Sequence, residues 1–362
     1  MTNSARYQEA EEASVAFQIA LTQIGAKTVE EALKLWESVP VEARASTATS
    51  WLRRAITLVM GRRRRSRDLA RAYYRLVRAL VTGSTVADPY HPEPEHVSLQ
   101  DLREEFAELV GEAAQDAPEP EEQGEETAVS QPEPEPARAV ESPSPEEDED
   151  ADLDRILVEE IEALRAEEER IEREAERELR VALAALGTDN LAKKVEAIGN
   201  DKPAKDVDAA RKEAHEEAGA RQAAAAERVA MNGARSTLWS HMNKDQKAIG
   251  YVRLSRTGTP CGWCAMLISR GPAYKSEKSA TFADGDRYHD NCHCYAMPVF
   301  SREQWRESDL FAMSRRYSDE WPRVTKGLSG KAAVSAWRRY IRQQQKAEAQ
   351  EARRRTTNVQ EA

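Results

Sequence analysis

Between Phe106 and Trp239 the chain runs for 132 residues without a phenylalanine, tyrosine or tryptophan. Aromatic and large aliphatic side chains supply most of the area a core buries. No ordinary globular core is therefore expected inside that stretch, and folded units are expected on either side of it. Composition points the same way. Hydrophobic residues make up 40% of the 362, but 57 of them are alanine and aromatics are only 6%. Such a chain reads as mainly α, rich in alanine and charge, with less core than its length suggests.

The middle of the gap has its own character. Residues 117–150 hold 13 Asp or Glu against the single Arg138, and 7 of the 16 prolines. Their net charge of -12, set against -11 for the whole chain, leaves +1 for everything else. Proline removes backbone donors, like charges repel, and little apolar surface is left to bury. Residues 116–151 are thus expected to be a disordered acidic linker, and composition favours a spacer over an acidic interaction tail.

Around it the pattern predicts a helical N-terminal domain over 1–115. Val15, Ile19, Val29, Leu33 and Trp36 recur at helical spacing, and Leu69, Tyr73, Leu76, Val77 and Leu80 share a second face. Asp101 to Val110 forms a shorter helix with an acidic first turn. Residues 152–245 read as a long helical arm, mostly exposed and laced with salt bridges. Glu168 and Glu178 interrupt its partial heptad, and Gly187-Thr188-Asp189-Asn190 is expected to end its first helix. Residues 246–300 read as a small α+β module, with strands at Tyr251–Ser255 and Tyr295–Phe300. A helical tail over 301–362 places Trp337, Tyr340 and Ile341 on one face. No membrane span is expected, because the apolar stretch from Ala55 to Gly61 is boxed in by arginines. The opening residues lack a signal-peptide pattern, so export by that route is not expected.

All four cysteines fall between 261 and 294. The pattern is Cys261-x2-Cys264, then 24 residues, then His289-x2-Cys292-His293-Cys294. Two thiolates from a Cys-x2-Cys turn converge on one ion, and a second pair completes the tetrahedron that zinc prefers. Cys261, Cys264, His289, Cys292 and Cys294 are the candidate ligands. His293 faces the other way if this piece is extended. The alternatives are reduced cysteines without metal, two disulfides, or a Cys264–His289 nucleophile pair.

The run from about Arg228 to Phe300 resembles the Mu F-like minor head proteins of tailed bacteriophages. The resemblance rests on Cys261, Cys264, Gly271, Tyr274, His289, Cys292 and Cys294, with the preceding helix Ala230–Arg235 and Trp239. It departs from the family at His293, where arginine is common, and at Trp263 in the knuckle. More narrowly, Cys261–Leu267 with Tyr288–Cys294 is similar to proteins of actinobacterial phages labelled capsid maturation proteases or Mu F-like fusions. The resemblance implies head morphogenesis near the portal, with portal, scaffold or major capsid protein as partners. It implies a place in the virion, and in the host cytoplasm during assembly. The alternative it carries is a capsid maturation protease.

Other chemistry is thinner. His215-Glu216-Glu217 lacks the second histidine of a zinc peptidase, since position 219 is Gly219. A serine protease would need a β-rich domain that no stretch supplies. Arg53 to Arg78 carries ten arginines against Asp68 alone. Arg62, Arg63, Arg64 and Arg65 are candidates for non-specific DNA contact, the alternative being a solvated helix face.

Overall fold

The computed structural model describes residues 3–41, 45–90, 97–115, 158–198, 204–255, 258–272 and 294–360. The expected linker 116–151 lies outside these residues, as do Tyr274, His289, Cys292 and His293. The protein is mostly helical, with one small two-stranded sheet in its C-terminal region. In chain order the elements are α1 Asn3–Trp36, α2 Ala45–Thr82, α3 Leu99–Gln115, α4 Val158–Leu183, a π-turn Ala184–Thr188, and α5 Asp189–Ala197. Then come α6 Ala204–Lys244, β1 Gly250–Ser255, α7 Gly262–Ile268, β2 Cys294–Val299, α8 Arg302–Glu307, a 3-10 turn Asp309–Phe311, α9 Ala312–Val324 and α10 Gly330–Gln360.

Helix α2 is the axis of the molecule, packed by α1, α3, α4 and α6. Its face at Leu69, Tyr73, Leu76, Val77 and Leu80 is buried as the spacing predicts. The face expected on α1 is a different matter. Val15, Ile19 and Leu33 are exposed, while Ala10, Ala13, Phe17, Leu21 and Ile24 enter the core. Phe17 stacks on Tyr73 with ring centroids 4.3 Å apart. The buried side of α1 thus combines the large Phe17, Leu21 and Ile24 with the small Ala10, Ala13 and Ala20. Helix α3 starts with a capping box: Ser98 Oγ and Asp101 exchange hydrogen bonds with each other's backbone N–H, at 3.2 and 3.0 Å.

The residues of the aromatic-free stretch do find a core, and borrow its aromatics. Helix α6 lies along α1 and α2. Ala214, Ala218, Ala223, Ala226 and Ala230 cluster with Trp36 and Trp51 of the N-terminal helices and with Leu179, Leu183 and Leu191. Trp36 meets Trp51 edge-on at 4.9 Å. A Cβ at Gly219 would stand 2.5 Å from Trp36, and one at Gly187 2.8 Å from Trp51. Gly187 is therefore a point of close approach, not a stop signal. The first arm helix does not end there but passes through the π-turn into α5, which absorbs one extra residue without breaking the rod. Helix α4 is exposed along most of its length, yet Leu164, Glu168, Leu179 and Leu183 are buried.

Strands β1 and β2 pair antiparallel, with Gly250 opposite Val299 and Ser255 opposite Cys294. Tyr251, Val252, Tyr295 and Val299 join the same core as α1, α2 and α6. A separate cluster sets the residues of α7 against Tyr317 of α9 and Trp337 and Ile341 of α10. The predicted face of the last helix is thus the one that packs.

Candidate metal centre and buried arginine ladder

Cys261 caps the short helix α7. Its Sγ accepts the Cys264 backbone N–H at 3.4 Å, and its carbonyl accepts from Ala265 N at 2.8 Å. Gly262 is needed at this turn, because a Cβ there would lie 2.8 Å from Arg338 Cγ of α10. Gly271 closes the helix at φ 62°, a left-handed conformation that suits glycine, with Trp305 against it. Cys264 and Cys294 are buried and Cys261 is exposed. Cys264 and Cys294 belong to the same apolar cluster, and the Cys294 carbonyl accepts from Arg235 Nη2 at 2.8 Å.

The structure therefore holds two of the five expected ligands in one cluster and a third, Cys261, at the start of the helix that enters it. An N–H directed at sulfur, from a tight turn opening a helix, is chemistry that suits a soft ion. Among the described residues alone no group of three or more His, Cys, Asp or Glu side chains is assembled to hold a metal. His289 and Cys292 are outside those residues.

A second constellation lies along α2, where no sequence motif marks it. Arg63, Arg67, Arg71, Arg75 and Arg78 recur every three or four residues along α2 and turn inward. Arg63 donates to Glu172 at 2.9 Å, to the Val229 carbonyl at 2.9 Å and to Ser236 Oγ at 3.3 Å. Arg67 reaches Glu172 at 3.4 Å. Arg71 pairs with Asp68, with Glu168 at 3.4 Å and with Asp88 at 3.7 Å. Arg75 donates to Glu105 at 2.7 Å and to the Val86 carbonyl at 3.0 Å. Arg78 closes the ladder on Asp245 at 2.5 Å, which also accepts from Tyr74 at 2.8 Å. His241 of α6 places Nε2 3.4 Å from Glu168 Oε1.

These environments shift the groups in opposing directions. Burial works to raise the Asp245 carboxyl, but the Arg78 guanidinium outweighs it and holds the group below its ordinary range. Glu168 behaves alike: burial raises it, and His241, Arg71 and Arg67 bring it below. Burial lowers Arg63 and Arg75, against the pull of Glu172 and Glu105. Burial and the neighbouring Asp245 charge raise the Tyr74 phenol far above its usual value.

The ladder corrects the expectation for Arg62, Arg63, Arg64 and Arg65. Arg63 is 3% exposed and committed to Glu172, and Arg62 is forked onto Glu31 at 2.7 and 3.1 Å. Only Arg64 and Arg65 face outward. The solvated-face alternative fails for the same reason, since Arg63, Arg71, Arg75 and Arg78 are buried. Glu168, the expected interruption of an exposed seam, is 2% exposed and braces α4 against α2 and α6. His215 is likewise structural: it stacks on Trp36 at 5.2 Å, and its Nε2 lies 2.7 Å from the Val39 carbonyl.

Compared with known protein families, residues 192–320 match the family described as VG15 protein, a phage-related viral family. The matched span runs from α5 through α6, the sheet and α7 into α9. Neither the curated proteins nor the solved structures contain a match.

Proposed function

We propose that the chain is a minor structural protein of a bacteriophage head, acting in assembly beside portal, scaffold or major capsid protein. The observation that carries this reading is that the family match and the resemblance fall on one span. The VG15 match over 192–320 contains the whole Cys261–Cys294 run that resembles the Mu F-like head proteins. Within that reading, Cys261, Cys264 and Cys294, completed by His289 or Cys292, would hold one structural zinc. Zinc would supply a rigid tetrahedral clip between α7 and β2, adding folding free energy to the module.

The chemistry around the cysteines favours a clip over catalysis. A catalytic metal or thiolate keeps an open position for substrate. Cys264 and Cys294 are instead 2% and 3% exposed, packed among Met266, Ile268 and Trp337. The capsid maturation protease is the second reading, supported by the narrower resemblance at Cys261–Leu267.

Three measurements test the proposal. Metal analysis of purified protein should find one zinc per chain, and mass spectrometry of finished particles should find the chain at full length. Co-expression with the neighbouring capsid and scaffold genes should yield no cleavage. The protease reading replaces this one if cleavage occurs there, and is lost in a Cys264→Ala variant that stays folded and keeps its metal.

A further inference from the structure

Helices α2 and α10 are both rich in arginine, and they use their charges differently. Along α2 six of the ten arginines, Arg62, Arg63, Arg67, Arg71, Arg75 and Arg78, are paired within the fold, by Glu31, Glu172, Glu168, Asp88, Glu105 and Asp245. Helix α10 is different. Between Gly330 and Gln360 it carries eight Lys or Arg against Glu348 and Glu351. Lys331, Arg338, Arg339, Arg342 and Lys346 are all exposed, and none makes an ion pair among the described residues. The Arg338 guanidinium lies over the Trp263 ring at 5.8 Å.

The positions form a stripe. At about 100° per residue, Lys331, Arg338, Arg339, Arg342 and Lys346 fall within roughly a third of the helix circumference. The opposite side is occupied by Trp337 and Ile341, buried against α7 and α9. At about 1.5 Å per residue the stripe is roughly 22 Å long, and it lies on a packed helix. We propose that this stripe is the protein's contact with double-stranded DNA, made to the phosphate backbone without reading sequence. The proposal stands on α10 alone and is independent of the role in head assembly.

The partner follows from the chemistry. Three of the five cations are arginines, whose planar forks match phosphate. Exposed Gln343 borders the stripe and adds a neutral donor. Trp337 packs inward, and the half-buried Trp263 ring beside the stripe is covered by the Arg338 guanidinium. Base stacking, the usual grip on single strands, is therefore not on offer. Helix α10 also has no spare apolar side to sink into a lipid surface, since its apolar residues meet α7 and α9. The acidic segment 117–150 of the chain is a competing polyanion. It carries one net charge per roughly three residues, whereas duplex DNA carries one per about 1.7 Å. Charge density favours the duplex.

The test uses the full chain and a labelled 24-base-pair DNA duplex of arbitrary sequence, followed by fluorescence anisotropy against salt. With about four phosphates neutralised, log affinity should fall against log salt with a slope near -4. Arg339→Gln/Arg342→Gln/Lys346→Gln should flatten the slope by about 3 and weaken binding at least tenfold near 0.1 M salt. Arg338 is retained because it packs on Trp263, so the variant should keep the wild-type melting temperature. Arg64→Gln/Arg65→Gln, on the exposed edge of α2, should change affinity less than about threefold. The proposal is overturned if the triple variant binds like wild type, if the single strand binds more tightly than the duplex, or if the full chain binds a synthetic 117–150 peptide and no DNA.

Discussion

At the residue scale the decisive interactions join positions far apart in sequence. Arg63 and Glu172 are 109 residues apart, Arg71 and Glu168 97, and Arg78 and Asp245 167. A run of arginines looks the same in a sequence whether its partners are phosphates, water or buried acids. Only the inward spacing of Arg63, Arg67, Arg71, Arg75 and Arg78 hinted at a face, and Glu168 was legible only as a break in a heptad. The pairs carry clear energetic consequences. Removing one member of a buried ion pair leaves the other charged and desolvated, at a cost of about 3–5 kcal/mol. Arg78→Ala is expected to lose that much in urea unfolding, because Asp245 and Tyr74 would be left to each other. The pH dependence has a definite sign. Asp245 and Glu168 are held below their ordinary range, so their contribution is present above the unfolded carboxylate values, about 3.9 and 4.3. It is lost as pH falls through the lower folded values. The urea midpoint should therefore drop between about pH 5 and 3, and Asp245→Asn should flatten that drop. A midpoint equally steep in the variant would remove Asp245 from the account.

At the element scale, patterns that depend on size were harder to read than patterns that depend on hydrophobicity. The two strands lie within a residue of the expected runs Tyr251–Ser255 and Tyr295–Phe300, and the buried face of α10 follows from helical spacing. The face of α1 does not, because two apolar rows run along it: Phe17, Leu21 and Ile24, with the small Ala10 and Ala13, are the row that packs, while Val15, Ile19 and Leu33 face out. Glycine is ambiguous too. Gly187 is expected to end a helix and proves to be a contact point for Trp51, and Gly219 is a contact point for Trp36. A matched pair of substitutions separates the two meanings. A methyl group added at Gly61 of α2 would have nothing within 4 Å, so Gly61→Ala should stabilise by about 0.5–1 kcal/mol through helix propensity. At Gly219 the same propensity gain meets Trp36 at 2.5 Å, and overpacking of this kind costs about 1–3 kcal/mol. Gly219→Ala should accordingly lower the melting temperature while Gly61→Ala raises it. The same sign for both would mean that Trp36 moves aside freely.

At the scale of the whole molecule, the aromatic gap correctly marks a region unable to build a core alone, and it conceals where that region goes. Helix α6 is completed by Trp36 and Trp51, so the N-terminal helices and the arm share their cores. The module at the C-terminal end is attached in two ways. Its strands enter the core of α1, α2 and α6, and Arg235 of α6 holds the Cys294 carbonyl. Helices α7, α9 and α10 form their own cluster around Trp337 and Cys264. If a zinc clip joins α7 to β2, its loss should act on the second cluster before the first. Removing zinc with a chelator, or replacing Cys261 by serine, is expected to raise amide exchange in α7, α9 and α10 by at least tenfold. Trp337 and Trp321 should shift to a more polar emission in the same step. Helices α2 and α6 should keep their protection, because the arginine ladder and the alanine–tryptophan contacts involve no cysteine. Uniform loosening of α2 and α6 together with α7 would show one cooperative unit and refute a separable metal-dependent cluster. Unchanged exchange in α7 after complete removal of metal would show that the cysteines are packed as apolar residues and that Trp337 alone holds the module.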